Sequence, residues 1–339
     1  MKPTNFAYYL TNFFTKHLPD ECGVSTNTVS SYRDTFLLFI AYVRDEKGKP
    51  IERLQLKDIN KELITDFLNW IETGRKCSIP TRNVRLTAIH SFFQYLQYEY
   101  PDFLLEWQKI LAIPVKKGER RTLNYMSLEG IKLLLAMPDQ HTKSGRRDLA
   151  LLSLMYDTGA RVQEIADLTP AMVHLSKPST IKLIGKGNKA RIVPLMEKQV
   201  NILNCYMTEN KLNAPYANQY PLFSNNRKEK LTRAGIGYIL NKYVTMARTK
   251  DASLIPQKFS CHCMRHSKAM HMLQSGVNLV YIRDMLGHVS VQTTEIYAKA
   301  DSRKKREAIE QAYTDVTPDA KPQWEGNHDL IEWLKSFNK

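Results

Sequence analysis

Residues 260–297 read SCHCMRH (260–266), a helical run to Gly276, VNLVYIRDMLGH (277–288) and, after Val289, SVQTTEIY (290–297). His262 and Arg265 stand three apart on one helical face, His288 follows Gly287, and Tyr297 comes nine residues after His288. Arginine presents a planar fork of donors that matches an anionic phosphate, histidine titrates near neutral pH, and a tyrosine hydroxyl can act as a covalent nucleophile. Gathered on one face, these groups suit phosphoryl transfer without a metal ion.

Upstream of this stretch the pattern is helical with one interruption. SLEGIKLLLAM predicts a helix capped by Ser127, and GRRDLALLSLMYDTGAR repeats Leu149, Leu152, Met155 and Tyr156 at helical spacing until Gly159 stops it. A short helix, RVQEIADL, opens at Arg161. STIKLIGKGNKARIVPL then places two β-branched runs around Gly185-Lys186-Gly187-Asn188, a hairpin signature that lifts Lys186 to the tip. After a loop containing Pro215 and Pro221, TRAGIGYILNKYVTMA predicts a helix capped by Thr232. The fold class expected is mainly α with one small β-hairpin or sheet.

Further towards the N-terminus, IPVKKGERRTL (113–123) breaks the helical pattern with proline and glycine while concentrating Lys116, Lys117, Arg120 and Arg121. It reads as a basic linker lying across DNA. Before it, three helices are expected. One is capped by Ser25 or Thr26 and buries Tyr32, Phe36, Phe39, Ile40 and Val43; a second runs through NKELITDFLNWIETG with Leu63, Ile64, Phe67, Leu68 and Ile71 inside. The third spans roughly residues 80–98, burying Val84, Ala88, Ile89, Phe92, Phe93 and Leu96, with Thr81, Arg82, Arg85 and Thr87 outward. Arg82 and Arg85 are candidate contacts to DNA phosphates, against the plainer reading of a solvated face. Downstream of Tyr297 come a charged helix, DSRKKREAIEQAY, the proline-broken TDVTPDAKP, and HDLIEWLKSFNK, where Leu330, Trp333, Leu334 and Phe337 share one stripe. That last helix is too short to be stable alone and too apolar to leave in water, so it is expected to dock. The resulting division is a helical domain over 1–114, a linker over 115–122, a second domain over 123–313 and a tail over 314–339.

At 339 residues the chain exceeds what one core usually supports, in keeping with two domains. Its 49 Lys+Arg against 34 Asp+Glu give a formal charge of +15, which favours a polyanionic partner, nucleic acid before anionic membrane. No apolar run approaches the ~20 residues that span a bilayer, and MKPTNFAYYLTNFF lacks the apolar core of a signal peptide, so a cytoplasmic location is expected. Five scattered cysteines (22, 77, 205, 261 and 263) fit free thiols in a reducing compartment. The CHCMRH cluster invites a zinc reading, but structural zinc wants paired ligands from two segments and no second cysteine pair exists, so neither metal nor cofactor is expected.

Taken in order, GARVQE (159–164), IGKGNKARIVPL (184–195), HCMRH (262–266), LGH (286–288) and TTEIY (293–297) resemble the motifs of the tyrosine recombinase (phage-integrase) family. An isolated H-x-x-R carries almost no information; five ordered motifs over some 140 residues carry a great deal. The resemblance covers nearly the whole chain, because residues 1–114 look like the family's helical, SAM-like core-binding domain. It implies a site-specific DNA recombinase that cleaves and rejoins DNA through a 3′-phosphotyrosyl intermediate. Arg161 and Arg265 would bind the phosphate, Lys186 would protonate the leaving 5′-hydroxyl, His262 would accept the proton of Tyr297, His288 would donate to the phosphate, and Tyr297 would be the nucleophile. It also implies double-stranded recombination sites as partners and a homo-tetramer on synapsed DNA, closed by exchange of the tail between protomers. Glu164 is expected to support an arginine or backbone neighbour, and His266 and His271 to pack.

Cys261, Cys263, Lys268 and Met270 depart from what is usual around the second arginine, and with the long tail they favour integration, excision or transposition of a mobile element over Xer-type resolution of chromosome dimers. A type IB topoisomerase fits less well, because the spacing is compact and the hairpin Xer-like. A DNA-binding regulator without catalysis needs phosphate contacts but neither nucleophile nor general acid.

Overall fold

A computed structural model describes residues 4–118, 123–288, 290–300 and 330–336, and the chain divides into two units, Met1–Arg121 and Thr122–Lys339. In the first, α1 (Asn5–Asn12) runs into a π-helical stretch, Phe13–Glu21, followed by α2 (Thr26–Asp45), α3 (Lys61–Thr73), α4 (Ile79–Glu99) and α5 (Leu104–Leu111). Ser25, Asn60 and Ser78 cap α2, α3 and α4, each accepting a backbone N–H of the first turn. The two leading helical stretches have no counterpart in the sequence reading; Pro19 lies inside the π-helical one, where no repeat of period 3.6 announces it.

Helix α4 is packed on by α2, α3 and α5. With neighbours on several sides it buries more than one stripe, and two expectations are corrected. Val84 is 49% exposed, and Leu86 takes the inner place. Arg82 does not point outward: it is 4% exposed, with its Nε 3.7 Å from Glu72 Oε2. Arg85 Nη1 donates to the Ser31 carbonyl (3.0 Å) and to Thr35 Oγ1 (3.1 Å), tying α4 to α2. Lys116 meets Glu72 at 2.8 Å, and Asn83 both donates to the Lys116 carbonyl and accepts its N–H, so this part of the basic stretch is held against α4. Lys117 is exposed; Arg120 and Arg121 lie outside the described residues.

The second unit is built around α7 (Lys143–Thr158), which follows α6 (Leu128–Leu135) and is buried almost all round from Ala150 to Met155. After α8 (Val162–Ala166) come β1 (Val173–His174), β2 (Thr180–Ile184) and β3 (Ala190–Pro194) in an antiparallel sheet of order β1-β2-β3, with Ile184 opposite Ala190 beside the hairpin tip. Residues Lys186–Asn188 form that tip, where Gly187 has φ 74°. The strand β1 adds an edge that the two-run hairpin pattern does not contain. Next are α9 (Glu197–Glu209), α10 (Arg233–Lys250) capped by Thr232, α11 (Cys261–Gln274), α12 (Leu279–Leu286) and α13 (Glu295–Ala300). Asp148, inside this core, accepts from Arg147 and from the Tyr243 hydroxyl, so its charge is answered. In the tail, α14 (Leu330–Ser336) is helical with Leu334 55% exposed, while Phe337 lies outside the described residues. Among the described residues, no helix is long and apolar enough to cross a membrane.

Candidate active site

Two helix ends organise the site. Helix α7 stops at Gly159 (φ 57°) and α12 at Gly287 (φ 64°), both in the left-handed region. A Cβ on Gly159 would lie 2.7 Å from Leu286 Cδ2, so the two ends are in contact through a position that has no room for a side chain. Carbonyls freed at these C-termini carry the negative end of each helix dipole and face cations. Arg265, on α11 and 2% exposed, donates from Nη1 to the Gly159 carbonyl (2.8 Å) and from Nη2 to the Leu286 carbonyl (2.6 Å). Arg161 Nη2 donates to the Gly287 carbonyl (3.3 Å).

Glu164 joins this pair to the hairpin. Its carboxylate accepts from the Arg161 N–H (2.8 Å), from Arg161 Nη1 (2.8 Å), and from Arg191 Nη1 and Nη2 (2.9 and 2.7 Å), while Arg191 Nε donates to the Met285 carbonyl (2.8 Å). Burial would raise this carboxyl, but Arg191 above all, with Arg161, holds it below the ordinary range. Burial and the neighbouring Arg161 bring Arg265 down to about 10, which still leaves it charged at neutral pH. Three guanidiniums less one carboxylate leave two positive charges, the requirement for a pre-formed anion site. A cavity of about 260 Å³ opens there, lined among others by Arg161, Arg233, His262 and Arg265.

Tyr297 comes back over this cluster from α13. Its ring is 1% exposed and packs among Ala269, Met270, Leu273, Ile282 and Leu286. Its hydroxyl is 2.9 Å from His266 Nδ1. The family resemblance implies His262 as the partner of this phenol and His266 is expected to pack; the structure places His266 there, with His262 one turn earlier, exposed, its ring 4.2 Å from that of His266. His288 lies 6.4 Å from the Tyr297 ring at an interplanar angle of 11°, and its Nδ1 is 2.9 Å from the buried Thr294 Oγ1. Burial, aided by the arginines, pushes His288 down to about 4, and burial with His262 and Arg265 does the same to His266. His262, although the residue as a whole is exposed, is lowered too, by desolvation beside the cluster and then by Arg265 and Arg161. The Tyr297 phenol is raised by burial, against the pull of Arg265 and Arg161, so it is protonated at neutral pH and needs an acceptor for its proton.

Lys186 stands on the hairpin tip beside Gly185, whose N–H donates to the Lys189 carbonyl (2.8 Å). Arg191 and Arg233 are the residues that sequence reasoning did not single out. Arg191 lies inside the hairpin motif, but its carboxylate partner is 27 positions away, a separation that no local pattern encodes. The remaining expected contacts, Arg82, Arg85, Lys116 and Lys117, belong to the other unit. Burial pushes the Cys261 thiol up to about 11. All five cysteines are free, and no group of three metal-ligating side chains is present among the described residues.

Comparison with known proteins follows the same division. Residues 124–304 match the model of the phage integrase family, and residues 12–100 that of the phage integrase N-terminal SAM-like domain. The y4rC protein of Sinorhizobium fredii, provisionally named an integrase/recombinase, is 35% identical over 99% of this chain and 99% of its own. Tyrosine recombinase XerD of Listeria monocytogenes is 30% identical over 86% of this chain and 94% of its own. Among solved structures, the XerH site-specific recombinase bound to a palindromic difH substrate superposes with a TM-score of 0.68 at 23% identity, covering 83% of this chain and 78% of that one. The Tn1549 transposon integrase with a circular intermediate DNA gives 0.69 at 14%, covering 92% and 100%. At such identities these two likenesses speak for the fold alone.

Proposed function

Because the chain belongs to the phage integrase family, the tyrosine recombinases, we propose that Tyr297 is the nucleophile with which it cuts and rejoins DNA at specific sites. The observation that carries this assignment is the convergence of Arg161, Arg265, His262, His288 and Tyr297 on one patch supported by Glu164. Attack of a phenol on a phosphodiester adds negative charge to the nonbridging oxygens in the transition state, and guanidiniums already in place stabilise that charge selectively. Arg161 and Arg265 fill that role, with His262 and His288 donating hydrogen bonds from the cavity wall and the tyrosine side. The 5′-oxygen leaves poorly unless protonated as it departs, and Lys186 on the hairpin tip is the general acid. The phosphotyrosyl ester keeps the energy of the broken bond, so a new 5′-hydroxyl can reverse the step.

Double-stranded recombination sites are the substrate, bound in the cytoplasm by both units, with Lys116, Lys117, Arg120 and Arg121 contacting phosphates. The relatives' names support this reading. The working assembly is a tetramer on two synapsed sites, in which the tail bearing the exposed Leu334 packs against the next protomer, and the biological task is movement of a mobile element. Incubation with a nicked substrate that cannot religate should trap a covalent complex on a denaturing gel. Tyr297→Phe should abolish that complex while leaving DNA binding intact, and an adduct formed by the Phe variant would refute the assignment.

A further inference from the structure

We propose that His266, rather than His262, takes the proton from Tyr297 as it attacks, a reading that rests on Tyr297 being the nucleophile. The geometry is specific: His266 Nδ1 lies 2.9 Å from the Tyr297 hydroxyl, while the neighbouring imidazoles hold other positions. His262 lines the cavity with Arg161 and Arg265, and His288 Nδ1 is engaged with Thr294. In the tautomer with hydrogen on Nε2, His266 Nδ1 presents a lone pair to the phenol. During cleavage the O–H proton passes to Nδ1, the tyrosyl oxygen bonds to phosphorus, the bond from phosphorus to the 5′-oxygen breaks, and that oxygen takes a proton from Lys186. Rejoining runs the same transfers backwards, so no co-reactant is needed.

A weak resting base fits this role. The groups facing His266 are His262 and Arg265 on its own helix, Tyr297 from α13, and His288 from the turn after α12. Burial, His262 and Arg265 hold it neutral in the free protein. When a phosphodiester enters, its negative charge offsets that of Arg265, and His266 becomes a better acceptor at the moment a proton has to be taken. Substrate would thereby switch on the base, and Tyr297 would stay a buried, unreactive phenol without it.

The test uses the full chain and the nicked trapping substrate, with binding affinity and thermal melting recorded alongside the cleavage rate. Asparagine places a side-chain polar atom near the position of Nδ1 and keeps a hydrogen bond, but it cannot accept the proton. His266→Asn should bind DNA as wild type does, cleave on the order of 10²-fold or more slowly, and lose the acidic limb of the pH–rate profile. His262→Asn should also slow cleavage, through the phosphate, but keep that limb. His266→Ala with added imidazole should recover rate in proportion to the free base, a readout that holds if the Asn variant folds poorly. A His266→Asn protein that cleaves at the wild-type rate, or an acidic limb that disappears with His262 instead, overturns the proposal. If the wild-type chain forms no adduct through Tyr297, it is the nucleophile assignment that fails.

Discussion

At the scale of single residues, the chemistry-bearing groups of this site stand in short ordered motifs, and so could be read from the sequence. What could not be read is which imidazole meets the phenol. His262 and His266 lie four apart on one face of α11, and the choice between them depends on where α13 docks, which is set by the burial of the Tyr297 ring among Met270, Leu273 and Ile282. The same burial makes an observable prediction. The folded chain holds His266 and His288 down to about 4 against an ordinary value of 6.5, so on acidification the unfolded chain binds protons first. Stability supplied by keeping these rings neutral is fully present above pH 6.5 and is lost as pH falls towards about 4. Thermal melting across that window should show a fall that His266→Gln makes shallower. An identical slope in wild type and variant would show that the ring is not held neutral.

At the scale of elements, the hairpin and the helix caps follow from local rules: Gly187 at the tip, Ser127 and Thr232 before their helices, Gly159 after α7. Arg82 shows where such rules end, because a helix packed on several sides buries positions that a single amphipathic stripe leaves outside. Arg191 shows it again, since its charge is answered by Glu164, on a different element. Removing one member of a buried ion pair leaves the other uncompensated, so Arg191→Ala should destabilise the chain by roughly 3–5 kcal/mol in urea unfolding. The pair replacement Glu164→Gln with Arg191→Met should cost less than that single change. Wild-type stability in Arg191→Ala would mean that the bridge between hairpin and α8 contributes nothing to holding the site.

At the scale of the whole molecule, an excess of fifteen positive charges makes DNA affinity a matter of counterion release, and its logarithm should fall steeply and linearly with the logarithm of salt concentration. A flat salt dependence would remove the phosphate backbone from the account of binding. Two units were legible from length and from the basic stretch whose proline and glycine break the helical pattern; the ties from Asn83 and Glu72 to Lys116 were not, because they depend on side chains brought together across 33 and 44 positions. Digesting the trapped covalent complex and identifying the linked peptide by mass spectrometry tests the role of Tyr297 most directly. The chain has 17 tyrosines, so the result discriminates. The nucleotide should be found on Tyr297 through a 3′-phosphate, and attachment to any other residue, or to a 5′-phosphate, would contradict it.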